Sequence, residues 1–228
     1  MQEWLTGGKP IAHRGLHALP KLPENSLAAF AAAIKAEYPI ELDVRLLADG
    51  EVIVFHDADL ERLTGVEGLI AEQTVETLRE LRLMGTREPI PLLSETLRLV
   101  AGQVPLLIEI KNEPATVGPL EAAILQTLAD YTGAFAVQSF CKETVAYLAA
   151  YAPHILRGQL SSGNDDWYDE NTPLPDFLGY RGDMLPTTLS TALRANGLPL
   201  LVWTIQTTEQ QSRVAEFADN YIFEFIRP

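Results

Sequence analysis

The chain has 228 residues, enough for one large domain or two small ones, and 47% of them are hydrophobic, ample for a core. Seventeen basic residues against 31 acidic ones leave a formal charge of −14, which argues against a nucleic-acid backbone or an anionic membrane surface as the main partner. The single cysteine, Cys141, cannot form an internal disulfide, the opening MQEWLTGGKP carries no leader pattern, and no run reaches the ~20 apolar residues of a membrane helix. The expected compartment is the cytoplasm, although a leader already removed would leave the same sequence.

Apolar strand-like runs alternate with helix-like segments. Pro10–His13 reads as a strand, and the alanine-rich Ser26–Glu37 as a helix capped by Asn25 or Ser26. Ile40–Val44 is the next strand. Asp49-Gly50 then signals a tight two-residue hairpin turn, so Val52–His56 should run back antiparallel. In that register Asp43 and His56 are equidistant from the turn and should face each other. Residues 57–92 read as an inserted segment with one helix, Thr74–Met84, and Ser94–Val100 is a further helix. Strands are then expected at Leu106–Lys111, Ala134–Ser139, Ile155–Leu160, Asp183–Leu185, Leu200–Thr204 and Tyr221–Phe225. Helices are expected at Val117–Asp130, Lys142–Tyr151, Thr187–Ala195 and Thr208–Ala218. Hairpin aside, eight strands alternating with helices predict an α/β (β/α)8 TIM barrel, a single domain over 1–228 with a small insertion after a projecting β-hairpin.

Seven ionisable residues end short apolar runs in the first half of the chain: His13, Arg14, Glu41, Asp43, His56, Glu109 and Lys111. Side chains alternate along a strand, so Glu41 and Asp43 share one face, and so do Glu109 and Lys111. In a barrel all of them fall at the C-terminal mouth. Burying an unpaired carboxylate costs several kcal/mol or neutralises it, so this set calls for a compensating charge. Three carboxylates without thiolates or a zinc-like Cys/His spacing suit a hard divalent ion, Mg2+ or Ca2+, with Mn2+ as a further fit. His13 and His56 can divide acid–base work. Arg14 and Lys111 read either as counter-ions or as a phosphate clamp. Trp203 reads either as core or as an apolar wall against an alcohol group. His17 and His154 read as ordinary loop residues. Asp43→Asn is expected to leave the fold intact by removing a repulsive charge.

These residues resemble the glycerophosphodiester phosphodiesterase family. The match runs through His13-Arg14-Gly15, Pro23-Glu24-Asn25-Ser26, Glu41-Leu42-Asp43-Val44, Asp49-Gly50, His56-Asp57, Leu60–Thr64, Ile90–Leu93, Ile108–Lys111, Ser139-Phe140 and Val202-Trp203-Thr204, in the family's order over about nine-tenths of the chain. The resemblance implies a divalent metal on Glu41, Asp43 and Glu109, acid–base catalysis by His13 and His56, and Arg14 and Lys111 on the phosphate. Glu24 and Asn25 would support the site from behind. The implied reaction is metal-dependent hydrolysis of a small-molecule glycerophosphodiester to sn-glycerol 3-phosphate and an alcohol. Alternatives are a lysophospholipase D, a phospholipase C-type phosphodiesterase, or a non-catalytic barrel holding a phosphorylated ligand. Two places depart from the family pattern: Gln206 stands near where an asparagine is common, and Phe223-Glu224-Phe225-Ile226-Arg227-Pro228 is an altered form of the usual acidic residue followed by a short Arg-Pro stretch.

Overall fold

A computed structural model describes residues 3–112, 114–169 and 173–228. The elements run α1 (Glu3–Thr6), β1 (Ile11–Ala12), α2 (Leu27–Lys35), β2 (Ile40–Leu46), β3 (Val52–Val54), α3 (Glu61–Thr64), α4 (Val75–Leu78), α5 (Leu93–Val100), β4 (Leu106–Ile110), α6 (Pro119–Leu128), β5 (Phe135–Ser139), α7 (Lys142–Tyr151), β6 (Arg157–Ser161), β7 (Phe177–Arg181), α8 (Thr188–Ala195), β8 (Leu200–Ile205), α9 (Thr208–Val214) and β9 (Asn220–Phe223). Eight strands pair in parallel in the order β1, β9, β8, β7, β6, β5, β4, β2, and a β1–β2 pairing, Ala12 opposite Ile40, closes the cylinder. The (β/α)8 barrel expected from the alternation is therefore borne out. No helix among the described residues is long and apolar enough to cross a membrane.

Strand alternation explains how the barrel carries a site. Ile11, Leu107, Ala136, Phe177, Leu201 and Ile222 fill the lower interior, and Leu5 of α1 plugs it from below. Two residues further along five of those strands, on the same face, stand His13, Glu109, Gln138, Trp203 and Glu224. The other faces pack against the helices in a continuous core that includes Leu42, Val44, Ile108, Val137 and Val202. The hydrophobic residues between β3 and β4 build their own cluster around Phe55, Leu60, Leu63, Ile70 and Leu83.

Three expectations need correction. The seventh strand is Phe177–Arg181, and the predicted Asp183–Leu185 overlaps a single 3-10 turn, Gly182–Met184. A Cβ on Gly179 would come within 2.5 Å of the Leu160 side chain, so that strand needs a glycine where a β-former is expected. The helix expected over Thr74–Met84 stops after one turn at Leu78, and Met84 takes φ 52° inside a separate turn. The short helix α1 carries no signal in the sequence pattern. Finally, the hairpin loop has three residues: Leu47 N donates to Glu51 O, and Gly50 sits at φ 85°. The extra residue shifts the register by one, so Phe55, not His56, lies opposite Asp43, its N–H donating to the Asp43 carbonyl at 2.9 Å.

Candidate active site

Loop geometry aims the first residues of the site. Arg14 and Asn25 both take left-handed backbone conformations, φ 53° and 55°, and Asn25 N donates to Arg14 O. Ser26, rather than Asn25, caps α2 by accepting from Ala29 N at 3.1 Å. That frees the Asn25 side chain to donate to Asp43 Oδ2 at 2.8 Å.

Glu41, Asp43 and Glu109 each present a carboxylate oxygen, and these atoms lie within 4.8 Å of one another. All three residues are buried. Lys111 Nζ stands 3.0 Å from Asp43 Oδ1 and 2.5 Å from Glu109 Oε1, and Arg14 Nε is 3.2 Å from Asp43 Oδ2. The backbone N–H of Arg14 donates to Glu41 Oε2 at 3.0 Å. The three acids do not share this positive charge equally. Burial pushes Asp43 up, but Lys111 and Arg14 outweigh it and hold the carboxyl well below its ordinary range. Burial, then the charges of Asp43 and Glu109, push Glu41 well above its ordinary value. Burial and Asp43 raise Glu109 to about 7 despite Lys111. Beyond the Lys111 ammonium, no described residue donates a hydrogen bond to Asp43 Oδ1 or Glu109 Oε1. Three crowded carboxylates, two of them raised above their ordinary range, with buried lone pairs to spare, can hold a metal ion.

Both histidines carry a carboxylate on Nδ1. His13 Nδ1 lies 2.7 Å from Glu224 Oε2, and His56 Nδ1 lies 2.7 Å from Asp57 Oδ1. Burial lowers the pKa of each imidazole, so the neutral form is favoured. An ionised carboxylate only accepts, so each ring holds its proton on Nδ1 and leaves Nε2 as an acceptor. Behind His56 a chain of ion pairs runs inward. Arg62 Nε donates to Asp57 Oδ2 at 2.6 Å, its two terminal nitrogens donate to Glu24, and Glu24 accepts from Arg14 at 2.6 Å. Glu24 and Asn25 thus stand behind Arg14 and Asp43.

A cavity of about 110 Å³ joins these groups. His13, Arg14, Glu41, His56, Glu109, Lys111 and Gln138 form its polar side, and Phe140, Leu160, Trp203 and Ile222 the apolar side. Trp203 packs against the lower core, meets Phe140 edge-on at 5.5 Å and lines the cavity. Every candidate except Asp43, Glu24 and Asn25 lines this cavity; Asp43 adjoins it through Glu41 and Glu109.

Sequence reasoning missed five residues. Gln138 is buried, with its Oε1 unpartnered at the cavity; its signal was a polar residue in the apolar run Phe135-Ala136-Val137-Gln138. Asp57 and Arg62 stood inside quoted motifs without a role. His13 and His17 meet on Glu224: His17 is buried and its Nε2 lies 3.3 Å from Glu224 Oε2. No local pattern links residues more than 200 positions apart. His154, as expected, is exposed.

Comparison with known proteins agrees with this geometry. Residues 13–221 match the glycerophosphoryl diester phosphodiesterase family. The chain is 29% identical over 222 residues to a glycerophosphodiester phosphodiesterase of Caldanaerobacter subterraneus subsp. tengcongensis, covering 90% of this chain and 88% of that protein. Among solved structures it resembles an Oleispira antarctica phosphodiesterase in complex with the product sn-glycerol-3-phosphate, with a TM-score of 0.84, 25% identity, and 94% and 91% of the two chains covered. It also resembles a Thermotoga maritima glycerophosphodiester phosphodiesterase, with a TM-score of 0.76, 27% identity, and 93% and 92% covered. A closed parallel barrel, paired histidines beside an acidic cluster, and a family match that begins at His13 and takes in all but the last residues of β9 lead to one conclusion: the chain belongs to the glycerophosphoryl diester phosphodiesterase family.

Proposed function

We propose that this protein hydrolyses glycerophosphodiesters to sn-glycerol 3-phosphate and a free alcohol. The observation that carries the reading is the pair of carboxylate-bound histidines flanking three crowded acids in one cavity. Glu41, Asp43 and Glu109 would hold a hard divalent ion, Mg2+ or Ca2+ by their all-oxygen donor set. When bound, such an ion supplies Lewis acidity toward the phosphate oxygens.

The chain's own groups do the rest. Lys111 and the remaining donors of Arg14 bind the phosphate. Gln138 is available to a glycerol hydroxyl, and Phe140 and Trp203 exclude water from one side. One imidazole Nε2 takes the proton of the attacking oxygen, which comes from water or from the glycerol 2-hydroxyl. That oxygen bonds to phosphorus, the phosphorus–oxygen bond to the alcohol breaks, and the other histidine, entering the step as an imidazolium with its second proton on Nε2, protonates the departing alkoxide and is left neutral. By the second route a cyclic phosphate forms first and water opens it.

A second reading is cleavage of lysophospholipids at the same bond. An apolar hollow of about 430 Å³, lined in part by Leu46, Leu47, Leu69, Ile70 and Leu120, shares Lys111 with the catalytic cavity. Among the exposed large apolar side chains, Leu69 lines that hollow and Phe140 lines the catalytic cavity. Product analysis on a panel of glycerophosphodiesters and lysolipids, with and without added metal, tests both readings. Release of glycerol 3-phosphate from none of them would overturn the proposal.

A further inference from the structure

The two places where the C-terminal half departs from the family's pattern, Gln206 and the segment around Glu224, meet at one point. Gln206 Nε2 donates to Glu224 Oε1, while His13 Nδ1 and His17 Nε2 share Glu224 Oε2 at 2.7 and 3.3 Å. Glu224 stands just beyond β9, and its backbone N–H donates to Ile205 O at 3.0 Å, which fixes the carboxylate between β8 and β1. His17 is pinned in turn by its edge-on contact with Phe225 at 5.4 Å. We infer that Glu224, held by Gln206 and His17, is a positioning residue that locks His13 in the Nδ1–H tautomer and makes it the proton acceptor of the reaction.

The inference rests on the functional reading above but turns on a contrast between the two histidines. Asp57 spends its charge on Arg62, 2.6 Å away, as well as on His56. Glu224 has no lysine or arginine within ion-pair distance among the described residues, and its other partners are an amide and an imidazole. An uncompensated carboxylate stabilises a developing imidazolium more than one already clamped by a guanidinium. His13 is therefore the ring equipped to gain a proton, and His56 the one equipped to give it up. Replacing the carboxylate with an amide reverses the arrangement. With Gln206 still donating to the amide oxygen, the amide nitrogen would face the rings, and His13 would have to move its proton to Nε2.

Two measurements on the full chain test this. The first is kcat and KM on glycerophosphocholine at saturating metal for wild type, Glu224→Gln, Glu224→Asp and His17→Gln. The second is the nitrogen spectrum of 15N-histidine-labelled protein, assigned to His13 by the loss of its signals in His13→Ala. Glu224→Gln should lower kcat by about 100-fold or more with KM within about threefold, and His13 should change from the Nδ1–H to the Nε2–H signature. Glu224→Asp should recover part of kcat and the original tautomer, and His17→Gln should lower kcat by a smaller factor. A Glu224→Gln protein that keeps kcat within about twofold of wild type, or keeps the Nδ1–H tautomer, overturns the inference. If the wild type cleaves no glycerophosphodiester, the functional reading fails instead, and the spectrum alone still decides the tautomer.

Discussion

Arg62 is bound twice to Glu24, through Nη1 at 3.0 Å and Nη2 at 2.7 Å, and so ties the segment after the hairpin to the floor of the site. Its third nitrogen holds Asp57, the partner of His56. Glu24 is buried and sits against Arg14 as well. Supporting partners of this kind are worth about 10–100-fold in activity elsewhere. Arg62→Ala should therefore lower kcat by at least about tenfold although Arg62 touches neither phosphate nor metal. Arg62→Lys should recover little, because an ammonium cannot reproduce the forked geometry. An alanine variant with wild-type kcat in a steady-state assay would show that the chain of ion pairs is structural decoration.

His13→Ala and His56→Ala should each reduce kcat by roughly 10²–10⁴-fold, the usual value of acid–base catalysis. Arg14→Ala and Lys111→Ala should in addition weaken inhibition by glycerol 3-phosphate. Because Arg14 and Lys111 also neutralise Asp43, these two variants should melt earlier than wild type, and the histidine variants should not. Paired inhibition and thermal-melting series separate the two classes.

The acidic cluster gives a metal prediction with a definite pH sign. Glu109 titrates near 7 against an ordinary 4.5, and Glu41 is raised as well. A group raised in the fold contributes stability that is complete below its unfolded value and is lost as pH rises through the folded one. The chelated protein should therefore lose Tm as pH climbs from about 4.5 to about 7, and Mg2+, Mn2+ or Ca2+ should reverse the loss. Metal affinity should rise over the same interval, since protons compete for the same oxygens. Calorimetric titration at pH 6 and 8 checks this; equal affinities would remove Glu109 from the ligand set. Chelation by EDTA should abolish turnover.

The same electrostatics correct an expectation about Asp43. Sequence alone treats the three carboxylates as equivalent, so Asp43→Asn reads as relief of repulsion. In the fold Asp43 is the acid that Lys111 and Arg14 both face, and removing its charge leaves two buried cations short of a partner. Asp43→Asn should lower the Tm of the chelated protein, and Glu41→Gln should raise it, because burial and the charges of Asp43 and Glu109 push Glu41 well above its ordinary value. Melting curves of the two variants in EDTA decide the order.

What was legible in the chain divides along physical lines. Residues at strand ends were readable because period-two alternation and strand-end polarity are local: His13, Glu41, Asp43, Glu109 and Lys111 arrive where their runs end. The seventh strand was hidden because Gly179 answers a contact with Leu160, from another strand, that no local propensity encodes. The hairpin register was missed by one residue because Asp49-Gly50 marks a turn without fixing whether the loop has two residues or three. Glu224 and His17 were illegible as a pair because closing the cylinder, β9 against β1, is what brings them together.

Substrate size is the last question that the structure makes testable. Beyond Trp203 lies a hollow of about 330 Å³ whose lining includes Arg181, Asp183, Gln206 and Arg213. Two of these charges are already paired, Arg181 with Asp183 at 2.7 Å, so the hollow offers a departing alcohol room rather than a dedicated partner. A loosely held group contributes little differential binding. Glycerophosphocholine and glycerophosphoethanolamine should therefore be cleaved with kcat/KM within about tenfold of each other, a gap of ~1.4 kcal/mol. An acyl chain on the glycerol must find apolar surface, and the hollow beside Lys111 is the surface at hand. It is reached past Leu69, which is 49% exposed and so can be changed without disturbing the core. Lysophosphatidylcholine should be the poorer substrate, and Leu69→Asp should depress its turnover further while leaving glycerophosphocholine within about twofold of wild type. Should the lysolipid prove the better substrate under the same metal condition, the protein acts as a lysophospholipase D. Should Leu69→Asp depress both substrates equally, the hollow plays no part in choosing between them.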